Sequence, residues 1–72
     1  MVPVGTSLLT INGVNKDVPT GTTVASLLQR LCIAPTGVAV AVNRVVVPRT
    51  RHNKQALHEE DQVEIIHAVG GG

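Results

Sequence analysis

The sequence predicts an α+β domain in which a sheet of four to five strands carries one main helix across one face. Three observations lead there. The hydrophobic share is 43% with no Phe, Tyr or Trp, so the core must be built from Val, Ile and Leu with Ala filling gaps. β-Branched side chains of that kind pack well on a pleated surface. Only one stretch, beginning at Val24, spaces its apolar residues as a helix does, and short strand-like runs precede and follow it. At 72 residues there is room for one small domain, which buries only about 60% of the surface its unfolded chain exposes.

The first element is a hairpin. The run "LLTI" from Leu8, the pair Asn12-Gly13 and the run "VNKDV" form a strong hairpin signal, giving antiparallel strands over 7–12 and 14–18. Pro19-Thr20-Gly21 ends the second strand, and Thr22 or Thr23 is placed to cap a helix. Within that helix Val24, Leu27, Leu28 and Leu31 fall at i, i+3, i+4 and i+7, so one apolar stripe faces the sheet. Cys32 follows at i+8 beside the stripe, while Ser26, Gln29 and Arg30 take the solvent side. Ala34-Pro35-Thr36-Gly37 is read as the stop, because proline cannot continue a helix and glycine permits the reversal.

"VAVAVNRVVVP" is the most strand-like stretch. Alternation puts Val38, Val40 and Val42 on one face and Ala39 and Ala41 on the other, with Asn43-Arg44 as a tight turn into Val45–Val47 and Pro48 as the end. From Arg49 to Gln62 the chain turns polar and reads as a surface connection that only Ala56 and Leu57 can pin. "VEII" at 63–66 is the last strand, with Val63 and Ile65 inward and Glu64 and Ile66 outward. The expected boundaries are a flexible extension at 1–6, a domain at 7–67 and a flexible tail at 68–72 ending in Gly-Gly.

Composition excludes several functions. Six Lys+Arg against five Asp+Glu leave a charge of +1, with no basic run and no aromatic ring for a base to stack on, which argues against nucleic acid. No apolar stretch approaches the roughly 20 residues that span a bilayer, and no signal peptide is recognisable, so the expected address is the cytoplasm and no membrane partner is implied. Cys32 is the only strong nucleophile, and its place beside the apolar stripe predicts a buried, inert thiol. His52, His58 and His67 show no pairing with it or with one another, and Glu59-Glu60-Asp61 reads as a solvated turn, so no metal site is expected. A single helix on a small sheet also offers little concave volume for catalysis. The chain is therefore read as a non-enzyme.

The end of the chain, "HAVGGG", remains. It reads either as a frayed terminus or as an arm. Without side chains, Gly70, Gly71 and Gly72 can thread a channel too narrow for any Cβ, and five residues from Ala68 reach about 16 Å.

"LLTINGVNKDVP", "TTVASLLQRL", "GVAVAVNRVVVPR", "DQVEII" and the final "GGG", taken in this order, resemble the ThiS family of thiamine-biosynthesis sulfur carriers, over Leu8 to Gly72. That resemblance implies a β-grasp, ubiquitin-like fold with a mixed sheet. It implies that Gly72, with Gly71 as its required neighbour, is adenylated by an E1-like, ThiF-like adenylyltransferase using ATP. The acyl-adenylate is then converted to a thiocarboxylate that donates sulfur to a ThiG-like thiazole synthase. A sulfur donor such as a cysteine desulfurase is implied as well, and no bound cofactor.

In the same reading Gly70, Val69 and Ala68 guide the end into the partner. Ile66, Ala39 and Ala41 form an apolar docking patch on the open sheet face, and Arg44, Arg49 and Arg51 steer an acidic partner. The chain alone is expected to be a monomer. The small subunit of molybdopterin synthase, a ubiquitin-like modifier or interaction module, and a persulfide carrier using Cys32 are the alternative readings.

Overall fold

In the computed structural model, residues 5–67 are described, and they form strands β1 (Thr6–Ile11), β2 (Val14–Pro19), β3 (Val38–Val42), β4 (Val45–Val47) and β5 (Gln62–His67), with helix α1 (Val24–Arg30) after the first hairpin. The strand order is β2-β1-β5-β3-β4. β1 and β5 run parallel, and the other neighbours are antiparallel, so the sheet is mixed. The expected class is met, with the last strand in sequence occupying the centre of the sheet.

Both hairpins close on two-residue turns. Asn12 and Gly13 have φ of 49° and 83°, and Asn43 and Arg44 have φ of 51° and 70°. Positive φ at both turn positions matches the right-handed twist of the flanking strands, and Asn tolerates it better than most side chains. Pairing then continues from Ile11↔Val14 to Thr6↔Pro19 in one hairpin and from Val42↔Val45 to Val40↔Val47 in the other. Thr6 therefore belongs to the sheet, one residue before the expected start, and Gly5 O accepts from Thr20 N–H at 2.9 Å. Met1 to Val4, the rest of the expected extension, lie outside the described residues.

Thr23 is the helix cap. Its hydroxyl accepts from Ser26 N–H, and the Ser26 hydroxyl accepts in return from Thr23 N–H, both at 3.1 Å. Two further first-turn donors, Val24 N–H and Ala25 N–H, go to Gln55 O and His52 O at 3.0 and 2.9 Å. The connection thus satisfies groups that a helix N-terminus leaves unpaired. Val24, Leu27 and Leu28 bury the expected stripe against Leu9, Val18, Val40 and Ile65 of the sheet, and Leu57 completes the core from the connection.

Two expectations fail at the helix end and in the connection. The helix does not run on to Ala34-Pro35. Cys32 N–H bonds to Gln29 O at 3.0 Å and Ile33 N–H to Leu28 O at 2.9 Å, the paired bonds of a Schellman motif, with Cys32 in the left-handed position at φ 58°. That turn swings Cys32 off the stripe, so its thiol is exposed instead of buried. The connection is also less superficial than its composition suggests. After a single 3-10 turn at Arg49–Arg51, His52 is only 5% exposed.

Candidate functional site

The site of interest is the open sheet face around β5, because this strand leads directly into the glycine-rich end. β5 is held from both sides. Val38↔His67 through Val42↔Val63 pair it with β3 along most of its length, while β1 pairs only with its start, at Thr10↔Gln62 and Ile11↔Val63. Beyond that point a side chain takes over. The Asn12 side-chain NH2 donates to Ile65 O at 3.2 Å, and its oxygen accepts from Ile65 N–H at 2.8 Å. Asn43 secures the other end, with its oxygen accepting from Gln62 N–H at 3.0 Å and its NH2 donating to Asp61 at 2.9 Å. β5 is therefore held in position along its length as far as His67. Ala68, Val69, Gly70, Gly71 and Gly72, the expected guide and reactive end, lie outside the described residues.

Register defines the face away from α1. Ile66 lies opposite Ala39, Glu64 opposite Ala41, and Ala41 opposite Val46. Ile66 is 59% and Val46 66% exposed. Ala41 does not fit the expected exposed patch: at 9% exposure it is nearly covered, a small side chain between larger neighbours on both sides. The apolar surface is carried by Ile66, Ala39 and Val46. Val46 was not among the expected patch residues, and the pairing with Ala41 is what places it on this face.

The arginines separate. Arg44 stands exposed at the β3–β4 turn. Arg49 does not join the patch, since it borders a cavity beside α1 with Leu28, Ile33 and His52. Arg51 is exposed in the 3-10 turn. The acidic run is occupied structurally. Glu59 accepts from Leu8 N–H at 2.7 Å, and Asp61 accepts from His58 N–H at 2.8 Å while also receiving Asn43. Among the described residues no three His, Cys, Asp or Glu side chains gather as metal ligands, and no helix is long and apolar enough to cross a membrane.

Among the described residues, the face beside this outgoing strand is apolar, a surface of the kind that docks a partner. The ThiS family matches residues 7–72. The chain belongs to the ThiS family. The crystal structure of a thiamine biosynthesis protein (ThiS) from Geobacter metallireducens superposes with a TM-score of 0.79 at 31% identity, covering 90% of this chain and 99% of that one. The mixed sheet with its single helix is thus the β-grasp of the ThiS proteins.

Two curated relatives are thiazole synthases, one from Magnetococcus marinus, 42% identical over 62 residues, and one from Paramagnetospirillum magneticum, 34% identical over 64 residues. The matches cover 86% and 89% of this ThiS-family chain but only 19% and 20% of those proteins, so the chain spans about a fifth of their length.

Proposed function

We propose that this chain is a sulfur carrier of thiamine biosynthesis, with the carboxyl group of Gly72 as its reactive group. The observation that carries this reading is the ThiS-family match, whose range extends through Gly70, Gly71 and Gly72. A free carboxylate is an anion at neutral pH and a poor electrophile. Its oxygen attacks the α-phosphorus of ATP within an E1-like adenylyltransferase, and pyrophosphate leaves. The outer sulfur of a persulfide on a donor such as a cysteine desulfurase then attacks the acyl carbon and AMP leaves; a second thiol attacks the donor's sulfur in the resulting acyl disulfide, forming a disulfide with the donor cysteine and releasing the thiocarboxylate. Two substitutions with good leaving groups replace one difficult exchange, with the carrier as substrate.

The thiocarboxylate next donates its sulfur to a thiazole synthase. Two relatives bearing that name contain a stretch matching most of this chain within their own length, which supports thiazole synthase as the consuming partner. In this reading Ile66, Ala39 and Val46 meet the partner while Ala68 and Val69 guide the glycines into its active site. Arg44, in the turn beside the start of β5 and at the end of that strand away from His67, adds long-range attraction for an acidic partner.

Intact-protein mass spectrometry tests the assignment. After incubation with the E1-like enzyme, ATP and a sulfur donor, one oxygen should be replaced by sulfur at Gly72, and one residue appended after Gly72 should abolish the change. Unchanged mass with a demonstrably active enzyme overturns it. The exposed thiol of Cys32 keeps a persulfide reading in play, and Cys32→Ser separates the two: the carrier reading requires full loading by this variant, and the persulfide reading requires none.

A further inference from the structure

The charges of this chain are sorted by face. Register puts Asp17, opposite Leu8, and Glu64, opposite Ala41, on the side of the sheet away from α1, and both are exposed. Glu59 and Glu60 lie against β1 beside Leu8: Glu59 accepts from Leu8 N–H, and Glu60 N–H donates to Leu8 O, each at 2.7 Å. Among the described residues no Lys or Arg takes an outward position in the strands. Lys16, which does lie in a strand, is opposite the buried Leu9 and so faces the helix side. Arg30 belongs to α1, and Arg49 borders the hollow beside Leu28. Arg51 and Lys54 flank His52, whose carbonyl accepts from Ala25 N–H in the first turn of the helix. Arg44 stands at the rim, in the β3–β4 turn.

This sorting acts at two ranges. A net charge of +1 attracts little, but separated charges give the domain a dipole that draws a basic surface toward the open face. At contact, Glu64 precedes Ile66 by two residues on the same face, so a surface that receives the isoleucine also meets a carboxylate. Covering that carboxylate unpaired is costly, and a cation opposite it offsets the cost. Among the described residues, Glu59 and Asp61 are the acids whose carboxylates accept hydrogen bonds, which leaves Asp17 and Glu64 for an outside donor. The relatives indicate whose surface this is. In two thiazole synthases a stretch matching most of this chain belongs to the enzyme's own polypeptide, an arrangement that holds a carrier-like domain at high effective concentration beside the enzyme.

We propose that the open face docks on a basic surface of a thiazole synthase with an apolar centre: an apolar recess takes Ile66 and Ala39, and arginine or lysine side chains meet Glu64 and Asp17. This rests on the reading that a thiazole synthase consumes the sulfur. Arg44 then faces an acidic group outside the basic patch, and the two signs together fix which way round the partner sits.

The test is biolayer interferometry between the unloaded chain and a purified thiazole synthase that carries no ThiS-like stretch of its own, across a range of ionic strength. Wild type should bind, and more weakly as salt rises. Glu64→Gln should weaken binding by up to about fivefold, the scale of one exposed charge pair. Glu64→Arg should weaken it about tenfold or more, because attraction becomes repulsion. Asp17→Asn combined with Glu64→Gln should flatten the salt dependence, and Lys16→Gln on the opposite face should leave both affinity and salt dependence as they are. Binding that Ile66→Ala weakens but Glu64→Arg does not overturns the basic surface and keeps the docking face. Tighter binding by Glu64→Arg overturns it as well, since the partner's surface is then acidic. Absence of wild-type binding removes thiazole synthase as the occupant, while a thiocarboxylate still found by mass spectrometry keeps the carrier chemistry.

Discussion

Asn12 pairs with Ile65 as though it were a strand residue, donating to the Ile65 carbonyl at 3.2 Å and accepting from its N–H at 2.8 Å. The residue that turns the first hairpin thereby extends the grip on β5 beyond the last β1 pair, Ile11↔Val63. Asn12→Ala removes both bonds and leaves an alanine at φ 49°. Loss of partners for buried backbone groups costs about 1–3 kcal/mol, and the left-handed conformation adds to it. Urea melts should show a loss of roughly 2 kcal/mol, and hydrogen exchange should show the Ile65 amide losing protection out of proportion to the core. A uniform loss across the sheet would mean that Asn12 acts through the turn alone.

Cys32 holds the left-handed position that ends α1, and its thiol is exposed. A thiol-specific reagent such as DTNB should therefore modify one equivalent in the native state, at a rate independent of added sub-denaturing urea. Glycine adopts positive φ without a Cβ penalty, so Cys32→Gly should raise stability by about 1 kcal/mol, read from the urea midpoint at constant slope. Protection of the thiol until global unfolding would contradict the exposed position.

The strands and the helix stripe were legible because each depends on a short-range period. Val40 and Val42 turn inward from alternation alone, as Leu27 and Leu28 do from helical spacing. The helix end was not legible. Nothing in "LLQRLCIAPTG" shows that Cys32, and not a glycine, takes the left-handed position, so the stripe seemed to continue through it. His52 was hidden for a different reason. It sits in a polar string, and its burial depends on Val47 and α1, which only the folded chain brings to it. Strand order is likewise a long-range property, and with it the exposure of Val46 beside the covered Ala41. The sequence resemblance anticipated the mixed sheet and the family. The residues that fix β5, Asn12 and Asn43, were recognised only as turn formers.

Ile66 offers the cleanest test of the open face. It is 59% exposed, so Ile66→Asp should change stability little, by less than about 0.5 kcal/mol on the usual scale of surface substitutions. Burying an isoleucine side chain in an interface contributes about 1.5–3 kcal/mol, and an aspartate there adds a desolvation cost. Under the proposed function, the KM of an E1-like adenylyltransferase for this chain should therefore rise about tenfold or more, with Ala39→Asp acting in the same direction. Unchanged kinetics for a folded Ile66→Asp protein would move docking to another surface.

Arg44 occupies the second place of its turn at φ 70°, where glycine is the favoured residue. A side chain there costs backbone energy, and the turn would be more stable without it. Arg44→Gly should raise stability by up to about 1 kcal/mol, which for a domain of this size corresponds to several degrees in Tm. If the guanidinium steers an acidic partner, the same variant should associate more slowly, and its rate should depend less on salt because one screened attraction is gone. Stopped-flow association with the proposed E1-like partner across a range of ionic strength reads both. A more stable protein with an unaltered salt slope would make Arg44 a turn residue only, whereas gained stability with a shallower slope places the cost of the turn against a contribution to partner capture.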